Sequence, residues 1–367
     1  MKLHIVQALH GDCFILEYGK MSNKHFALID GGPRTVYRKF LKPSMQKIIG
    51  KSGKLDLVVP SHIDRDHVSG LLDLFKEIRK QKKSKNKQLV DVQEIWQNTF
   101  DMIIGYHNGI ISKPTTVSKL AKSKSLISNT NLATRSIQEG NDLKILTGKL
   151  DIPQNRIFRN NIITVENHSK TITLQDMKLK IVGPTKNNLQ ELRKEWIKYL
   201  RSQKKKPFSK TKKVAEYTDK SIPNLSSIMF LINTKGQSIL FTGNGRGDHI
   251  IQGLKKQKLL NSQGKIHVNF LKMPHHESDK NIEPDFFRTI TADSYIISAN
   301  GGKSNNPDLT TLELIVDLAI CDKRKITIYL TNETPSTRQL IKNRPESKFG
   351  YKLKIMPKNK TYFTVEI

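Results

Sequence analysis

Four side chains that can bind a metal ion lie within six residues of one another, in the run His62-Ile63-Asp64-Arg65-Asp66-His67. Imidazole and carboxylate groups are ligands of divalent cations such as Zn²⁺ and Mn²⁺. Because Asp66 and His67 are adjacent, they cannot point the same way in an extended chain. They therefore suit a second metal beside the one that His62 and Asp64 would hold. The alternative, a polar turn that caps a helix beginning at Val68, needs only one Asp or Ser.

A second group of candidate ligands follows a strand-like run near residue 272, in Lys272-Met273-Pro274-His275-His276. A histidine pair at the end of a strand more often supplies one ligand and one supporting or substrate-binding group than two ligands. We predict that His275 is the ligand. Asp66 and His276 are the candidates for a direct catalytic role. Two solvent-facing histidines are the alternative.

The pattern His-x-Asp-x-Asp-His resembles the His-x-His-x-Asp-His signature of the metallo-β-lactamase superfamily. With Asp in the second position it is similar to the soluble metallo-hydrolase domain of the competence protein ComEC and its stand-alone relatives. Further motifs that resemble this family follow in chain order: Gly11-Asp12, Leu28-Ile29-Asp30-Gly31-Gly32, Asn224-Leu225-Ser226-Ser227, Phe241-Thr242-Gly243-Asn244 and the run from Lys272 to Ser278. The resemblance spans nearly the whole chain apart from two Lys-rich stretches.

The resemblance implies an α/β fold, an αββα sandwich of two mixed sheets with outer helices, and one to two divalent metal ions per chain. Asn244 stands where the family has a metal-bridging Asp, so we expect a weak, uncharged ligand there. Asn306 stands where the family often has His before Pro307. These two departures either lower the affinity for one metal or mark a weakened catalyst. We expect Asp30 to orient His62 or His67 rather than to bind metal.

The elements around these motifs are visible in the hydrophobic pattern. Short apolar runs predict strands, among them Lys2–Ala8, 54–60 and the pair Ile228–Ile232 with Ser238–Phe241. Helical spacing predicts helices at Val68–Arg79, Asp248–Lys256 and Leu309–Ala319. Strands interrupted by helices without a repeat fit a layered α/β domain. We predict a single domain over residues 1–367, with basic insertions near 76–90 and 186–222, and leave 98–167 unassigned.

The charge balance favours a polyanionic partner. Lys and Arg number 63 against 33 Asp and Glu, a net charge of +30. Each phosphate that a basic side chain neutralises releases counterions, so such a surface binds nucleic acid. Lys204, Lys205, Lys206, Lys272 and Ser227 are the candidate phosphate contacts. The alternative is an ordinary solvated surface rich in lysine.

These observations predict a metal-dependent phosphodiester hydrolase, a nuclease that acts on DNA. Two alternatives stay open. One is a phosphodiesterase for a small substrate such as a cyclic nucleotide, and the other is a catalytically weakened nucleic-acid-binding subunit of a larger complex, such as a defence system. Two cysteines, Cys13 and Cys321, cannot build a disulfide framework, and the N-terminal residues predict a strand rather than a signal peptide. We therefore expect a cytoplasmic protein without a membrane partner.

Overall fold

The structure is a computed structural model that describes residues 1–50, 53–107, 110–111, 132–204, 223–276, 284–302 and 305–367. Its strands are short and rich in Val, Ile, Leu and Phe, which fit a pleated and half-buried surface. In chain order they are β1 (Lys2–Val6), β2 (Phe14–Lys20), β3 (Asn23–Ile29), β4 (Gly53–Leu55), β5 (Leu57–Val59), β6 (Val90–Val92), β7 (Tyr106–His107), β8 (Ile110–Ile111), β9 (Ile172–Leu174), β10 (Met177–Gly183), β11 (Met229–Thr234), β12 (Gln237–Phe241), β13 (Ile266–Lys272), β14 (Ile290–Ile297), β15 (Thr327–Leu330), β16 (Lys352–Ile355) and β17 (Tyr362–Glu366).

Most of these strands join two large sheets. The first has the order β17-β1-β2-β3-β5 and is antiparallel except for the β3–β5 pair. The second has the order β16-β15-β14-β13-β12-β11-β10-β9; it is parallel from β16 to β12 and antiparallel from β12 to β9. The predicted pairing of Ile228–Ile232 with Ser238–Phe241 is the β11–β12 hairpin, which turns at Lys235 and Gly236, both with positive φ.

Helices cover the outer faces of both sheets. They are α1 (Arg34–Val36), α2 (Lys42–Ile48), α3 (Arg65–Lys83), α4 (Phe100–Gly105), α5 (Leu132–Lys149), α6 (Lys186–Lys204), α7 (Gly247–Lys256), α8 (Pro284–Thr289), α9 (Leu309–Cys321), α10 (Pro335–Asn343) and α11 (Glu346–Phe349). A π-helical turn at Tyr37–Leu41 joins α1 to α2. Within the described ranges, no helix combines the length and the apolar character that a membrane crossing requires.

Side chains of the inner strands alternate between two cores. In β2, Phe14 and Leu16 face the second sheet, whereas Ile15 between them packs against the helices on the outer side. In β12, Phe241 faces the first sheet and Leu240 packs outward. This period of two is the geometry of a strand whose two faces are both buried. Each sheet therefore has one face on the other sheet and one face on helices.

The outer cores complete the layers. Helix α3 contributes Leu71 and Phe75 to the core outside the first sheet, and α5 contributes Leu143. Helices α7 and α9 contribute Leu254 and Ile315, among others, to the core outside the second sheet. The molecule is thus an α/β protein with two mixed sheets between layers of helices. The fold class expected from the sequence, an αββα sandwich, is confirmed.

The sequence predicts exposed loops or helix ends for the two Lys-rich stretches. Lys76–Lys83 forms the last two turns of α3, a helix whose apolar face continues to Ile78. The second stretch begins as α6, which extends from Lys186 to Lys204. Residues 205–222, including Lys205 and Lys206, lie outside the described residues, and no structure is assigned to them. The unassigned region 98–167 contains α4 and α5.

Candidate metal centre

The loops that carry the predicted ligands meet at one end of the sandwich. His62 lies three residues after β5, whereas Asn244 and His275 follow β12 and β13 of the other sheet. The backbone joins these loops directly: Ile228 N donates to Ser61 O at 2.7 Å, and His275 N donates to Gly243 O at 3.3 Å. The strand ends of both sheets therefore bring distant parts of the chain to one place.

The two histidines of the motif lie side by side, with ring centroids 4.2 Å apart. Both are buried. His62 Nε2 lies 3.5 Å from Asp64 Oδ2, and His67 Nε2 lies 3.9 Å from Asp66 Oδ2. Each histidine of the motif therefore lies beside one carboxylate of the motif, and the prediction that each pair holds a metal ion stays a prediction.

The side chain of Asp64 does not cap helix α3, although the residue lies at the start of that helix. Helix α3 begins at Arg65, three residues before the Val68 start that the capping alternative assumed, and Asp64 occupies the N-cap position. Its side chain nevertheless makes no capping hydrogen bond. The carboxylate instead lies beside His62 Nε2, where both groups could bind the same metal ion.

Asp30 fixes the orientation of both histidines, as the sequence predicted. His67 Nδ1 donates to Asp30 Oδ2 at 2.9 Å. Ser61 Oγ also donates to Asp30 Oδ2, at 2.8 Å, and lies 3.0 Å from His62 Nδ1, from which it can accept. With Nδ1 as the donor in both rings, Nε2 is the nitrogen that would bind a metal ion. Metal-binding histidines are commonly oriented in this way by a carboxylate or hydroxyl group.

The backbone on either side of Asp30 holds its carboxylate in position to accept from Ser61 and His67. Asp30 has a φ of 57°, in the left-handed region, and Asp30 Oδ1 accepts from Ser61 N at 2.7 Å. Gly31 N donates to His67 O at 2.8 Å. A side chain at Gly70 would collide with the Gly31 carbonyl oxygen. The first turns of α3 therefore lie directly on the β3 loop, and this contact sets the position of His67.

Asn244 completes the site from the second sheet. Its Nδ2 lies 3.3 Å from His62 Nε2, and its Oδ1 is buried and accepts no hydrogen bond from the described residues. A neutral amide can donate to the imidazole lone pair, whereas a carboxylate at this position would need a cation between the two groups. Rotation of the amide would present Oδ1 to such a cation. The donor set His62, Asp64 and Asn244 thus fits a divalent metal ion.

A second layer of charge lies behind the ligands. Asp12, Asp30 and His67 are buried, with ligand atoms within 4.8 Å of one another, a composition that suits a divalent cation. Asp12, however, forms an ion pair with Lys272 Nζ, which also donates to Gly243 O at 2.8 Å. Asp30 already accepts from Ser61 and His67. Their present contacts therefore assign these carboxylates to supporting the histidines.

The carboxylates dominate the electrostatics of His67. Burial acts to lower the pKa of His67, but the negative charges of Asp30, Asp66 and Asp12, with the hydrogen bond from Nδ1 to Asp30, raise it to about 9. The surroundings of this ring therefore favour positive charge. A bound cation would satisfy the same field in place of a proton.

The Pro274–His276 turn holds the remaining candidates. His275 is half-buried in the left-handed conformation (φ 49°), and its backbone bond to Gly243 lies next to Asn244. Asn306 Nδ2 donates to His275 O at 3.5 Å, so Asn306 supports this turn. The backbone of His276 lies in the same turn, but its side chain is outside the described residues, and its catalytic role stays a prediction.

Two predicted nucleic-acid contacts, Lys272 and Ser227, are buried rather than on the surface, and their contact with nucleic acid stays a prediction. Lys272 is 1% exposed, and its ammonium group forms an ion pair with Asp12. Ser227 is also 1% exposed, and its Oγ accepts from Asn244 N at 3.2 Å. Both residues instead support the floor of the site. The side chain of Lys204 lies outside the described residues, as do Lys205 and Lys206 entirely.

Three residues that contact the site, Ser61, Asp12 and Glu139, are not among the site residues predicted from the sequence. Ser61 directly precedes His62, and the Gly11-Asp12 motif was noted without a function for its carboxylate. Glu139, on α5, accepts from Arg65 Nε at 3.1 Å and from Ser69 Oγ. Glu139 lies in a stretch without a recognisable motif, so only the fold shows that it contacts the site.

The comparisons with known proteins give little beyond this geometry. No family model matches the chain, and no curated protein matches it. Among solved structures, the crystal structure of a new diphosphatase from the PhnP family matches with a TM-score of 0.38 and 12% identity, over 98% of this chain and 85% of that chain. A TM-score of this size carries no argument, so the case for the site depends on the contacts described above.

Proposed function

We propose that this chain is a metal-dependent phosphodiester hydrolase that acts on DNA. One observation carries the proposal: both motif histidines have Nδ1 held through Asp30 and Ser61, and their Nε2 atoms lie beside Asp64 and Asp66. A pair of oriented lone pairs with two adjacent carboxylates is the donor set of a hydrolytic metal site.

The residues divide into two groups around this site. His62, Asp64 and Asn244 would hold one metal ion, while Asp66 and His67 would hold a second, with His275 at the edge. A divalent ion held by these residues would supply an activated water for attack on phosphorus. The chain orients its imidazoles through Asp30 and excludes water from them by burial. Zn²⁺ and Mn²⁺ both suit a mixed imidazole and carboxylate set.

The choice of a polyanionic substrate is supported by charge. The net charge of +30 would attract a phosphodiester chain through counterion release, whatever its sequence. Exposed lysines at the end of α3, such as Lys76, Lys80 and Lys83, belong to this surface. Lys204, Lys205 and Lys206 are proposed to extend it. A small cyclic nucleotide would need none of this charge.

A second candidate function is favoured by Asn244. An amide bridges two cations poorly because it carries no charge, so a site with Asn244 could hold one ion for structure rather than two for catalysis. The chain would then be a nucleic-acid-binding subunit of a larger complex with a protein partner. It would bind DNA as tightly as an active enzyme does but would not cleave it.

A screen of metals against substrates tests the proposal. Purified chain is incubated with plasmid DNA, single-stranded DNA or a cyclic nucleotide in Zn²⁺ or Mn²⁺. The matched pair of variants is His62→Ala and His267→Ala, since His267 is exposed and hydrogen-bonded to Asp293 at the opposite end of β13. We expect DNA cleavage that His62→Ala abolishes and His267→Ala retains. DNA binding without cleavage in either metal would favour the subunit, and cleavage of the cyclic nucleotide alone would reject DNA as the substrate.

A further inference from the structure

One buried carboxylate gathers two arginines beside the candidate metal centre. Glu139 is 8% exposed. Its Oε1 accepts from Arg65 Nε at 3.1 Å and lies 3.5 Å from Arg34 Nη2, while its Oε2 accepts from Ser69 Oγ. Two guanidinium groups therefore share the one negative charge of Glu139, and these three side chains together carry one positive charge.

Both arginines belong to the loops that build the site. Arg65 lies between Asp64 and Asp66 and is the first residue of α3, and Arg34 lies four residues after Asp30 at the start of α1. Helix α5 packs closely on this region, because a Cβ at Gly140 would lie 2.9 Å from Ile63 Cγ2. Helix α5 thus brings Glu139 next to the motif, and Glu139 joins Arg34, which follows Asp30 in the chain, to Arg65 of the motif.

The guanidinium groups keep donors for a further acceptor. The side chains of Arg65 and Arg34 are 35% and 57% exposed. Arg65 uses Nε for Glu139, which leaves its Nη donors available. Guanidinium binds two oxygens of a phosphate group in parallel, and a partner carboxylate reduces the rotational freedom that such binding would otherwise cost. An arginine held in this way is better placed than a free one to bind an anion at the rim.

We propose that Arg34 and Arg65, positioned by Glu139, bind the anionic oxygens of a substrate phosphodiester at the mouth of the metal centre. This inference deepens the proposed function and rests on it. It assigns the recognition of phosphate charge to these two arginines, in place of Lys272, which is buried in its pair with Asp12. Glu139 acts through the arginines and is a positioning residue.

The test uses a probe with a single charge, so that the diffuse positive surface contributes little. Binding of a thymidine dinucleotide with one phosphodiester linkage is compared with binding of the same dinucleotide carrying an uncharged methylphosphonate. NMR titration measures both dissociation constants at 150 mM salt, where the Debye length is about 8 Å. The proteins are the wild type, Arg34→Gln, Arg65→Gln, Arg65→Lys and Glu139→Gln.

A matched control is Arg324→Gln. Arg324 also pairs with a carboxylate, Asp322, but it donates to Ala292 O at the start of β14, at the opposite end of the sheet from His275. The melting temperature and metal content of every variant are measured alongside.

The wild type is expected to bind the charged dinucleotide about 10-fold to 100-fold more tightly than the neutral one, the size of a charge-assisted hydrogen bond. Arg34→Gln and Arg65→Gln should reduce this ratio towards one, Arg65→Lys and Glu139→Gln should reduce it in part, and Arg324→Gln should leave it unchanged. If both Arg→Gln variants keep the preference for the charged dinucleotide and only their melting temperature falls, the arginines act only in packing α5 against α1 and α3. Loss of the ratio in a protein that cleaves no DNA would support the inference and reject the proposed activity.

Discussion

His67 Nδ1 donates to Asp30 Oδ2 at 2.9 Å, and Asp30 directly follows β3. A second histidine–aspartate pair involves β3 itself, where His25 Nδ1 lies 2.6 Å from Asp56 Oδ2. Asp30 is buried, whereas the Asp56 side chain is 22% exposed. The two pairs have the same chemistry in different surroundings. A comparison of variants at the two pairs therefore distinguishes the effect of losing any histidine–aspartate hydrogen bond from the effect on metal binding.

The first prediction concerns this comparison. Asp30→Asn removes the charge that holds the Nδ1 proton of His67 and gives Ser61 and His67 one acceptor oxygen fewer. We expect metal affinity to fall by about 10-fold to 100-fold, as is typical for a group that orients a ligand. Calorimetric titration with Zn²⁺ measures it. Asp56→Asn should bind metal as the wild type does, and an equal loss in both variants would count against the role of Asp30.

The second prediction concerns Asn244. Asn244→Asp places a carboxylate beside His62 and near Asp64. Because like charges repel in a buried site, we expect the melting temperature of this variant to fall in EDTA and to rise more than that of the wild type when Zn²⁺ is added. Metal content by mass spectrometry should increase. If neither measurement responds to the metal, Asn244 does not face a cation.

The third prediction concerns the buried pair of Lys272 with Asp12. Lys272→Met leaves Asp12 charged and without its ammonium partner in the interior, so we expect the free energy of unfolding to fall by about 3–5 kcal/mol. The double variant Asp12→Leu with Lys272→Met should recover much of this loss, since it buries no charge. Chemical denaturation measures both. A Lys272→Met protein with unchanged stability but weakened DNA binding would restore Lys272 as a substrate contact.

The fourth prediction concerns the basic segment after α6. If Lys204, Lys205 and Lys206 contact phosphates, their replacement by Gln should reduce the slope of log affinity against log salt by roughly 2–3 units on duplex DNA. Fluorescence anisotropy at several salt concentrations measures the slope. The matched control replaces three exposed lysines elsewhere, Lys342, Lys348 and Lys352. Equal changes in the two triple variants would indicate diffuse attraction rather than a defined contact.

The fifth prediction concerns pH. Burial acts to raise the pKa of Glu77, but hydrogen bonds from Lys42 and Tyr37 lower it below its ordinary value of 4.5. The folded state thus favours the charged form, and this stabilisation is present above pH 4.5 and is lost as the pH falls. Glu77→Gln should cost about 1–2 kcal/mol at pH 7 and less at pH 3. Chemical denaturation of the wild type and Glu77→Gln at the two pH values measures the cost, and a cost that is the same at pH 7 and pH 3 would contradict the prediction.

The metal motif and the fold class could be predicted because their signals are local. His62, Asp64, Asp66 and His67 lie in one short run, and the alternation in β2 or β12 appears within a few residues. The start of α3 at Arg65 was missed, because the apolar spacing begins only at Val68 whereas the first turn is made of polar residues that face the site.

The supporting residues could not be predicted because their contacts are distant in sequence. A lysine such as Lys272 is a common phosphate-binding residue, and only the position of Asp12 in the loop between β1 and β2 shows that its charge is already neutralised. Lys76–Lys83 is a charge run in the sequence, but its spacing continues a helix whose other face is buried. Tertiary packing decides both cases.

The division of the ligands between the two sheets has a consequence for unfolding. His62 and Asp64 follow the first sheet, whereas Asn244 belongs to the second, so an ion that contacts all three would crosslink the halves of the sandwich at one end. Such a crosslink stabilises only conformations in which both halves are folded and docked, and its contribution grows with the free metal concentration. Metal would therefore increase the cooperativity of unfolding. Its removal would let the rim of the sandwich separate before the cores between sheets and helices are lost.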